Sequence, residues 1–212
     1  MNVAEFRKLP IIGILRGVEA EVIEPLVETI VSSGLQTIEV TMNTPGAPSL
    51  IQQMVKLAKK LLMIGAGTVL TMDDLHSALR AGATFIVSPV LVRDVVDYCV
   101  KNSIPVFAGA LTPQEIYNAW DVGATMVKVF PAKFFGPAYF KEIKGPLQNI
   151  QLLACGGVNT ENIKSFFSAG ASAVAFGASI FRNEWLAEGE FSRVQDSIKA
   201  LIQASSIKTE RS

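Results

Sequence analysis

The chain has 212 residues, half of them hydrophobic, and its 19 lysines and arginines balance 19 aspartates and glutamates. A net charge of zero without a basic tract argues against nucleic acid or an anionic membrane as the main partner. The single histidine, His76, excludes a two-histidine metal site, and the two isolated cysteines, Cys99 and Cys155, exclude a disulfide framework. The sequence has no membrane-length apolar run and no signal-peptide core, so we expect a cytoplasmic protein.

Short apolar runs alternate along the chain with longer amphipathic segments, a pattern typical of repeated βα units around a parallel sheet. The predicted strands are Ile11–Leu15, Gln36–Met42, Leu61–Gly65, Thr84–Ser88, Pro105–Ala108, Thr125–Phe130, Gln151–Ala154 and Ala173–Phe176. The predicted helices include Glu21–Ser33, Ala47–Lys60, Met72–Ala81, Arg93–Lys101, Pro113–Val122, Ala138–Lys144, Glu161–Ala169 and Phe191–Ala204. Eight strands and eight helices in this order predict an α/β fold, a single-domain (β/α)8 TIM barrel over residues 1–212, with 205–212 as a frayed tail. An open doubly wound sheet is the alternative, but no G-x-G-x-x-G follows the first strand.

Four glycines mark the junctions between a helix and the next strand. Gly34, Gly82, Gly123 and Gly170 are 48, 41 and 47 residues apart, a spacing of about two βα units. Helices commonly end on a residue in the left-handed conformation, which glycine adopts without steric cost. The repeat supports the barrel.

Lys128 lies inside the apolar run Met126–Ala132, which reads as a buried strand ended by a proline. Burial disfavours the charged ammonium, and a partly neutral lysine is a nucleophile for carbonyl carbons. The alternative is a lysine that extends to solvent at a strand end or pairs with a buried carboxylate. The run by itself leaves both interpretations open.

Strand alternation separates the side chains that line the barrel from those that contact the helices. Met126, Lys128 and Phe130 share one face of the sixth strand. Thr37, Glu39 and Thr41 share a face of the second strand, and Ile12, Ile14 and Arg16 share a face of the first. Arg16, Glu39 and Lys128 are therefore predicted to converge at the carboxyl ends of the strands, where barrel enzymes carry out chemistry. A structural ion-pair cluster is the alternative.

Glycine-rich segments follow the seventh and eighth strands, in Cys155-Gly156-Gly157 and Gly177-Ala178-Ser179. Glycines let backbone amides approach a phosphate, and barrel enzymes often bind phosphate at these two loops. A second rim of small residues, Gly65-Ala66-Gly67-Thr68, is predicted after the third strand, with the Thr68 hydroxyl as a possible hydrogen-bond donor.

Several motifs, in order over residues 9–182, are similar to those of one enzyme family. They are Ile14-Leu15-Arg16-Gly17, Ile38-Glu39-Val40-Thr41, Ile64-Gly65-Ala66-Gly67-Thr68-Val69, Ile86-Val87-Ser88-Pro89, Lys128-Val129-Phe130-Pro131, Gly136-Pro137 and Gly156-Gly157-Val158. The chain thus resembles the class I aldolases that cleave 2-keto-3-deoxy-6-phosphogluconate (KDPG) and 4-hydroxy-2-oxoglutarate (KHG).

The resemblance implies a role for each candidate residue. Lys128 would form a Schiff base with pyruvate, and Glu39 would shuttle protons. Arg16 and Thr68 would bind the substrate, and Pro89 and Phe130 would form the walls of the site. The substrate phosphate would be bound by Gly156, Gly157, Gly177 and Ser179. The resemblance further implies a homotrimer, small-molecule partners (keto-deoxy sugar acids and pyruvate), and no metal or organic cofactor.

Two positions depart from the pattern of members specialised for KDPG. Those members commonly carry arginine where this chain has Asn43, and threonine where it has Cys155. The related 2-dehydro-3-deoxy-6-phosphogalactonate aldolases are therefore an alternative. More distant alternatives are a phosphosugar epimerase and a non-catalytic phosphosugar-binding barrel.

Overall fold

The computed structural model describes residues 1–206. In it, eight parallel strands pair in sequence order and form a closed barrel. The strands are β1 (Ile11–Leu15), β2 (Thr37–Thr41), β3 (Met63–Gly67), β4 (Ile86–Val87), β5 (Val106–Ala110), β6 (Met126–Val129), β7 (Leu152–Cys155) and β8 (Ala173–Phe176). The barrel closes because β8 pairs with β1, with Ile12 opposite Ala175. The predicted TIM barrel is confirmed, and the open sheet is excluded.

Ten α-helices are present within residues 1–206. They are α1 (Val3–Phe6), α2 (Ile23–Ser33), α3 (Ala47–Ala58), α4 (Met72–Arg80), α5 (Arg93–Lys101), α6 (Pro113–Asp121), α7 (Gly136–Lys144), α8 (Ile163–Ser168), α9 (Asn183–Ala187) and α10 (Phe191–Ala204). Two 3-10 turns cover Ala20–Val22 and Ala132–Phe134. No helix of this part of the chain is long and apolar enough to cross a membrane. Most of the predicted tail, from residue 207 onward, lies outside the described residues.

The junction glycines have the conformation that the sequence predicts. Gly34, Gly82, Gly123 and Gly170 have φ angles of 86°, 99°, 96° and 96°. These angles lie in the region where a Cβ would be strained, so each glycine turns the chain from a helix into the next strand.

The barrel interior is filled near the amino ends of the strands and left open at the carboxyl ends. The Phe107 ring lies 5.8 Å from the Phe6 ring and 5.8 Å from the Phe85 ring, and all three side chains are fully buried. Phe6 comes from the short helix α1, which the sequence did not predict. Because aromatic packing fills this end, a ligand can enter only at the opposite end.

Six of the eight strands differ from their predicted bounds: β2 and β6 are one residue shorter at each end, β7 is shifted by one residue, and β3, β4 and β5 differ as follows. Strand β3 is shifted by two residues to Met63–Gly67, so Ala66 and Gly67, which were predicted to follow the strand, belong to it, and of the predicted rim only Thr68 comes after the strand. Strand β4 is only Ile86–Val87, and β5 extends to Ala110. Glycine has a low strand propensity, so a sequence-based prediction ends the strand at the glycines. Strand β3 nevertheless continues through Gly65 and Gly67, because the barrel interior has no room for a side chain there. A Cβ on Gly65 would lie 2.5 Å from the Phe85 ring.

The helix bounds differ less. Helix α8 is shorter than predicted, Ile163–Ser168, and α7 begins two residues earlier, at Gly136. The first turn of the predicted helix from Glu21 is the 3-10 turn Ala20–Val22. Helix α9, like α1, was not predicted, because each has about one turn and carries little periodic signal.

Replacing Thr37 by valine is expected to stabilise the barrel by about 1 kcal/mol, because the Thr37 hydroxyl is fully buried and has no hydrogen-bond partner within residues 1–206. Thr41, on the same strand face and equally buried, is the matched control, since its hydroxyl lies 3.1 Å from the Thr44 hydroxyl. Thr41→Val should therefore lower the free energy of unfolding, as measured by urea titration. A loss of stability in Thr37→Val would show that its hydroxyl has a partner.

Candidate active site

A cavity of about 780 Å³ opens at the carboxyl ends of the strands. Nine of the ten residues predicted for the site line it, namely Arg16, Thr68, Pro89, Lys128, Phe130, Gly156, Gly157, Gly177 and Ser179. The tenth, Glu39, is 1% exposed on β2, close enough to Lys128 and Arg16 for their charges to act on it. The structure thus brings all the candidate residues to one end of the barrel.

Lys128 is the buried cation of this cavity. It lies on β6 between Gly109 of β5 and Leu153 of β7, and only 5% of the residue is exposed. Its ammonium lies 5.4 Å from the centre of the Phe130 ring. Over residues 1–206, the ion pairs involve only Lys8 with Glu5 and Arg193 with Glu190, so Lys128 is not held by a carboxylate. Both alternatives for Lys128, solvent exposure and a buried ion pair, are wrong for the described chain.

Glu39 is a buried carboxyl close to two positive charges. Burial raises the pKa of Glu39, and the charges of Lys128 and Arg16 oppose that rise. One carboxyl oxygen, Oε1, is buried and has no hydrogen-bond partner in the described part of the chain. A Cβ on Gly67 would lie 2.4 Å from this oxygen, so the glycine of β3 provides the space that the carboxyl occupies. A carboxyl with a raised pKa suits proton transfer near neutral pH.

Arg16 follows β1 at the cavity mouth, where it is exposed. The next residue, Gly17, has a φ of 64° and donates its N–H to the Thr44 hydroxyl at 3.0 Å. That hydroxyl also contacts Thr41 of β2. The turn that carries Arg16 is therefore tied to the strand that carries Glu39. It places at the cavity wall a guanidinium that forms no ion pair with any of the described residues.

Thr68 is held in an unfavourable backbone conformation. Its φ of 53° is rare for a β-branched residue, and strain of this kind concentrates at functional sites. Within the described residues its hydroxyl makes no hydrogen bond, and it lines the cavity. Thr68 therefore offers a free donor to a ligand beside Lys128.

The two glycine-rich loops present free backbone amides. Gly156 and Gly157 have φ angles of 95° and 81°. Throughout residues 1–206, the N–H groups of Gly156, Gly157, Ala178 and Ser179 donate to no protein acceptor. All four residues line the cavity. Successive amides of this kind form an anion-binding surface.

Two further lining residues are the positions at which the sequence departs from the pattern of members specialised for KDPG. Asn43 lies on the wall next to β2, and Cys155 is the last residue of β7, not the first of the following loop. Cys155 is 3% exposed; burial raises the pKa of its thiol, which the charge of Lys128 opposes. If the sequence prediction had ended β7 at Cys155, strand alternation would have put Cys155 on the same inward face as Leu153.

The sequence carried no signal for Lys133 and Phe134, which also line the cavity. They belong to the 3-10 turn after β6, and their position depends on how that turn folds over the loop after β7. Over the described chain, no three histidine, cysteine or acidic side chains are grouped as a metal site would require.

The sequence is similar to that of characterised enzymes over most of its length. A family model described as KDPG and KHG aldolase matches residues 3–197. The 2-dehydro-3-deoxy-6-phosphogalactonate aldolase of Escherichia coli (strain K12) is 32% identical over 82% of this chain and 86% of its own. The 2-dehydro-3-deoxy-phosphogluconate aldolase of Haemophilus influenzae is 31% identical over 84% of each chain.

Solved structures agree with the sequence comparison. A structure described as native KDPGal superposes with a TM-score of 0.86 at 30% identity, covering 93% of this chain and 94% of its own. KDPG aldolase from Legionella pneumophila, with pyruvate captured at low pH as a covalent carbinolamine intermediate, has a TM-score of 0.86 at 28% identity. The match covers 93% of this chain and 96% of the Legionella chain.

Proposed function

Since the chain belongs to the KDPG and KHG aldolase family, we propose that it is a class I aldolase that cleaves KDPG, KHG or both. The products are pyruvate and an aldehyde, glyceraldehyde 3-phosphate from KDPG and glyoxylate from KHG. The observation that carries the proposal is Lys128, a buried amine that lines the cavity and forms no ion pair within residues 1–206. The carbinolamine captured in the Legionella pneumophila enzyme supports the same chemistry.

The mechanism begins with the neutral amine of Lys128, which attacks the C2 carbonyl carbon of the substrate. Loss of water from the resulting carbinolamine gives a protonated imine. The C3–C4 bond then breaks as a base removes the proton of the C4 hydroxyl, and the aldehyde leaves. The bond electrons pass to C3 and are delocalised towards the imine nitrogen as an enamine. A plain ketone would accept these electrons poorly, so the lysine supplies the electron sink.

Glu39 is the acid and base in this proposal. It takes the C4 hydroxyl proton, directly or through water, and later returns a proton to C3 of the enamine. Hydrolysis of the new imine releases pyruvate and regenerates Lys128. The raised pKa of Glu39 supports the role, because the group can then both accept and donate a proton near neutral pH.

The remaining lining residues bind substrate. Arg16 and Thr68 hold its anionic and carbonyl end, since a guanidinium and a hydroxyl that have no partner among residues 1–206 line the cavity there. Pro89 and Phe130 form the walls. The phosphate is bound by the loops after β7 and β8, through Gly156, Gly157, Gly177 and Ser179. Four amides of these loops donate to no acceptor within residues 1–206. The reaction needs no cofactor.

Substitution of Gly67 by alanine is expected to slow cleavage by about 100-fold, because the new Cβ would displace the Glu39 carboxyl that lies 2.4 Å from its position. Gly65→Ala is the matched control in the same strand. Its Cβ would meet the Phe85 ring, so this variant should lose stability but keep its turnover once folded. Steady-state kinetics with urea unfolding measure both. Equal kcat values for the two variants would show that Gly67 does not determine the position of the Glu39 carboxyl.

The preferred substrate is tested by measuring pyruvate release from KDPG, its galactonate epimer and KHG. The phosphogalactonate aldolase is the alternative, because relatives of both kinds have about equal identity and because Asn43 and Cys155 line the cavity. Faster turnover of the galactonate epimer would favour it. Cleavage of none of the three, with retained affinity for phosphosugars, would favour a non-catalytic barrel or an epimerase.

We propose further that residues 1–212 form one barrel domain, that three copies assemble into a homotrimer, and that the protein acts in the cytoplasm. Apolar side chains at the barrel mouth support an interface, since Phe134 and Phe135 are 71% and 52% exposed. Light scattering of the purified protein tests the trimer, and a monomeric mass would reject it.

A further inference from the structure

Lys133 is a cation of the cavity that the cleavage mechanism does not use. It lies on the 3-10 turn Ala132–Phe134, five residues after Lys128, and lines the same cavity. Lys128 is buried at the floor, whereas Lys133 is exposed at the rim. The two lysines therefore mark the bottom and the mouth of one site.

The stem of Lys133 lies directly against the loop after β7. A Cβ placed on Gly157 would lie 2.5 Å from the Cβ of Lys133 and 3.7 Å from its Cγ. A Cβ on Gly156 would lie 3.6 Å from the backbone nitrogen of Ala132. The 3-10 turn thus covers the two glycines whose amides are free, and Lys133 is the residue of that turn that carries a charge.

The ammonium of Lys133 is not neutralised by a carboxylate. Neither of the two ion pairs formed within residues 1–206 involves it, and its nitrogen lies 4.9 Å from the centre of the Phe134 ring. An aromatic face holds a cation near the cavity without cancelling its charge. The charge remains available to an anion at the glycine-rich loops.

Free amides alone provide only partial positive charges, whereas a phosphate monoester carries nearly two negative charges at neutral pH. We infer that Lys133 is a specificity-determining residue that contacts the phosphate of phosphorylated substrates and so favours them over unphosphorylated ones. This inference rests on the proposed aldolase function and adds a residue that selects the substrate class. The reacting carbon atoms lie at Lys128, so Lys133 affects binding and not the chemical step.

The test compares two aldehydes in the condensation with pyruvate, glyceraldehyde 3-phosphate and glyoxylate. Lys133→Met removes the charge and keeps the stem. It should raise the KM for glyceraldehyde 3-phosphate about five- to tenfold, as expected for a partly exposed charge-assisted contact. The kcat for this aldehyde and both constants for glyoxylate should stay close to wild type. Lys133→Arg should restore the KM, and Lys141→Met, at an exposed lysine on α7, should change neither aldehyde.

Ionic strength gives a second measurement. Added potassium chloride should raise the KM for glyceraldehyde 3-phosphate less in Lys133→Met than in wild type, because the variant lacks one charge to screen. An unchanged KM, or equal changes for both aldehydes, would overturn the role of Lys133 while leaving the aldolase function standing. A wild-type protein inactive on both aldehydes would overturn the proposed function itself, and Lys133 with it.

Discussion

Lys128→Met is expected to reduce kcat/KM by 10⁴-fold or more, on the order of the loss seen when an enzyme's covalent nucleophile is removed. Methionine has a similar length but no amine, so it forms no imine and leaves the cleavage step without its electron sink. The fold should persist, because the apolar side chain suits a position that is 5% exposed and makes no ion pair within residues 1–206.

Two measurements decide the assignment of Lys128. The first is steady-state pyruvate release, with Lys141→Met as the matched control at an exposed lysine. The second is intact mass after borohydride reduction with pyruvate, which should add one reduced pyruvyl group to wild type and none to Lys128→Met. Substantial aldolase activity in the variant, or an adduct on another lysine, would reject Lys128 as the nucleophile.

Glu39→Gln is expected to lower kcat by roughly 10²- to 10⁴-fold, the usual contribution of a general acid or base. This variant should still be trapped on pyruvate by borohydride, since Lys128 remains. A loss of proton transfer is thereby distinguished from a loss of imine formation. Glu142→Gln, at an exposed glutamate of α7, is the control and should behave as wild type.

The pH dependence follows from the same carboxyl. Because burial raises the pKa of Glu39 above 4.5, the group keeps its proton to a higher pH than an ordinary glutamate. The base form is needed for cleavage, so kcat/KM of wild type should fall, as pH is lowered, at a value above 4.5. Glu39→Gln should lose this acid limb, and a limb that survives in the variant would assign it to another group.

The free energy of unfolding should change with pH in the opposite direction to the change that an ordinary ion-paired carboxylate causes. With a raised pKa in the folded state, native Glu39 binds more protons than the unfolded chain above pH 4.5. Its contribution to the free energy of unfolding is therefore lost as pH rises from that value through the folded pKa. The stability of Glu39→Gln relative to wild type should therefore increase as the pH is raised above 4.5, as measured by urea unfolding.

The residues themselves determined most of the architecture and the centre of the site. The alternation of apolar strands with amphipathic helices predicted the barrel, and period-two alternation placed Arg16, Glu39 and Lys128 on inward faces. These inferences succeeded because both patterns are local: each depends on residues close together in the chain, whose spacing decides which face they share.

The tertiary structure alone decided what surrounds these charges. Gly65 and Gly67 fit within β3 because Phe85 and Glu39 occupy the space of their missing side chains, and those neighbours come from the segment just before β4 and from β2. Lys133 reaches the cavity because its 3-10 turn folds over Gly157. The burial of Lys128, its lack of an ion pair within residues 1–206 and the loop amides without an acceptor there depend on segments far apart in sequence. These segments meet only when all eight strands close, so no local pattern records them.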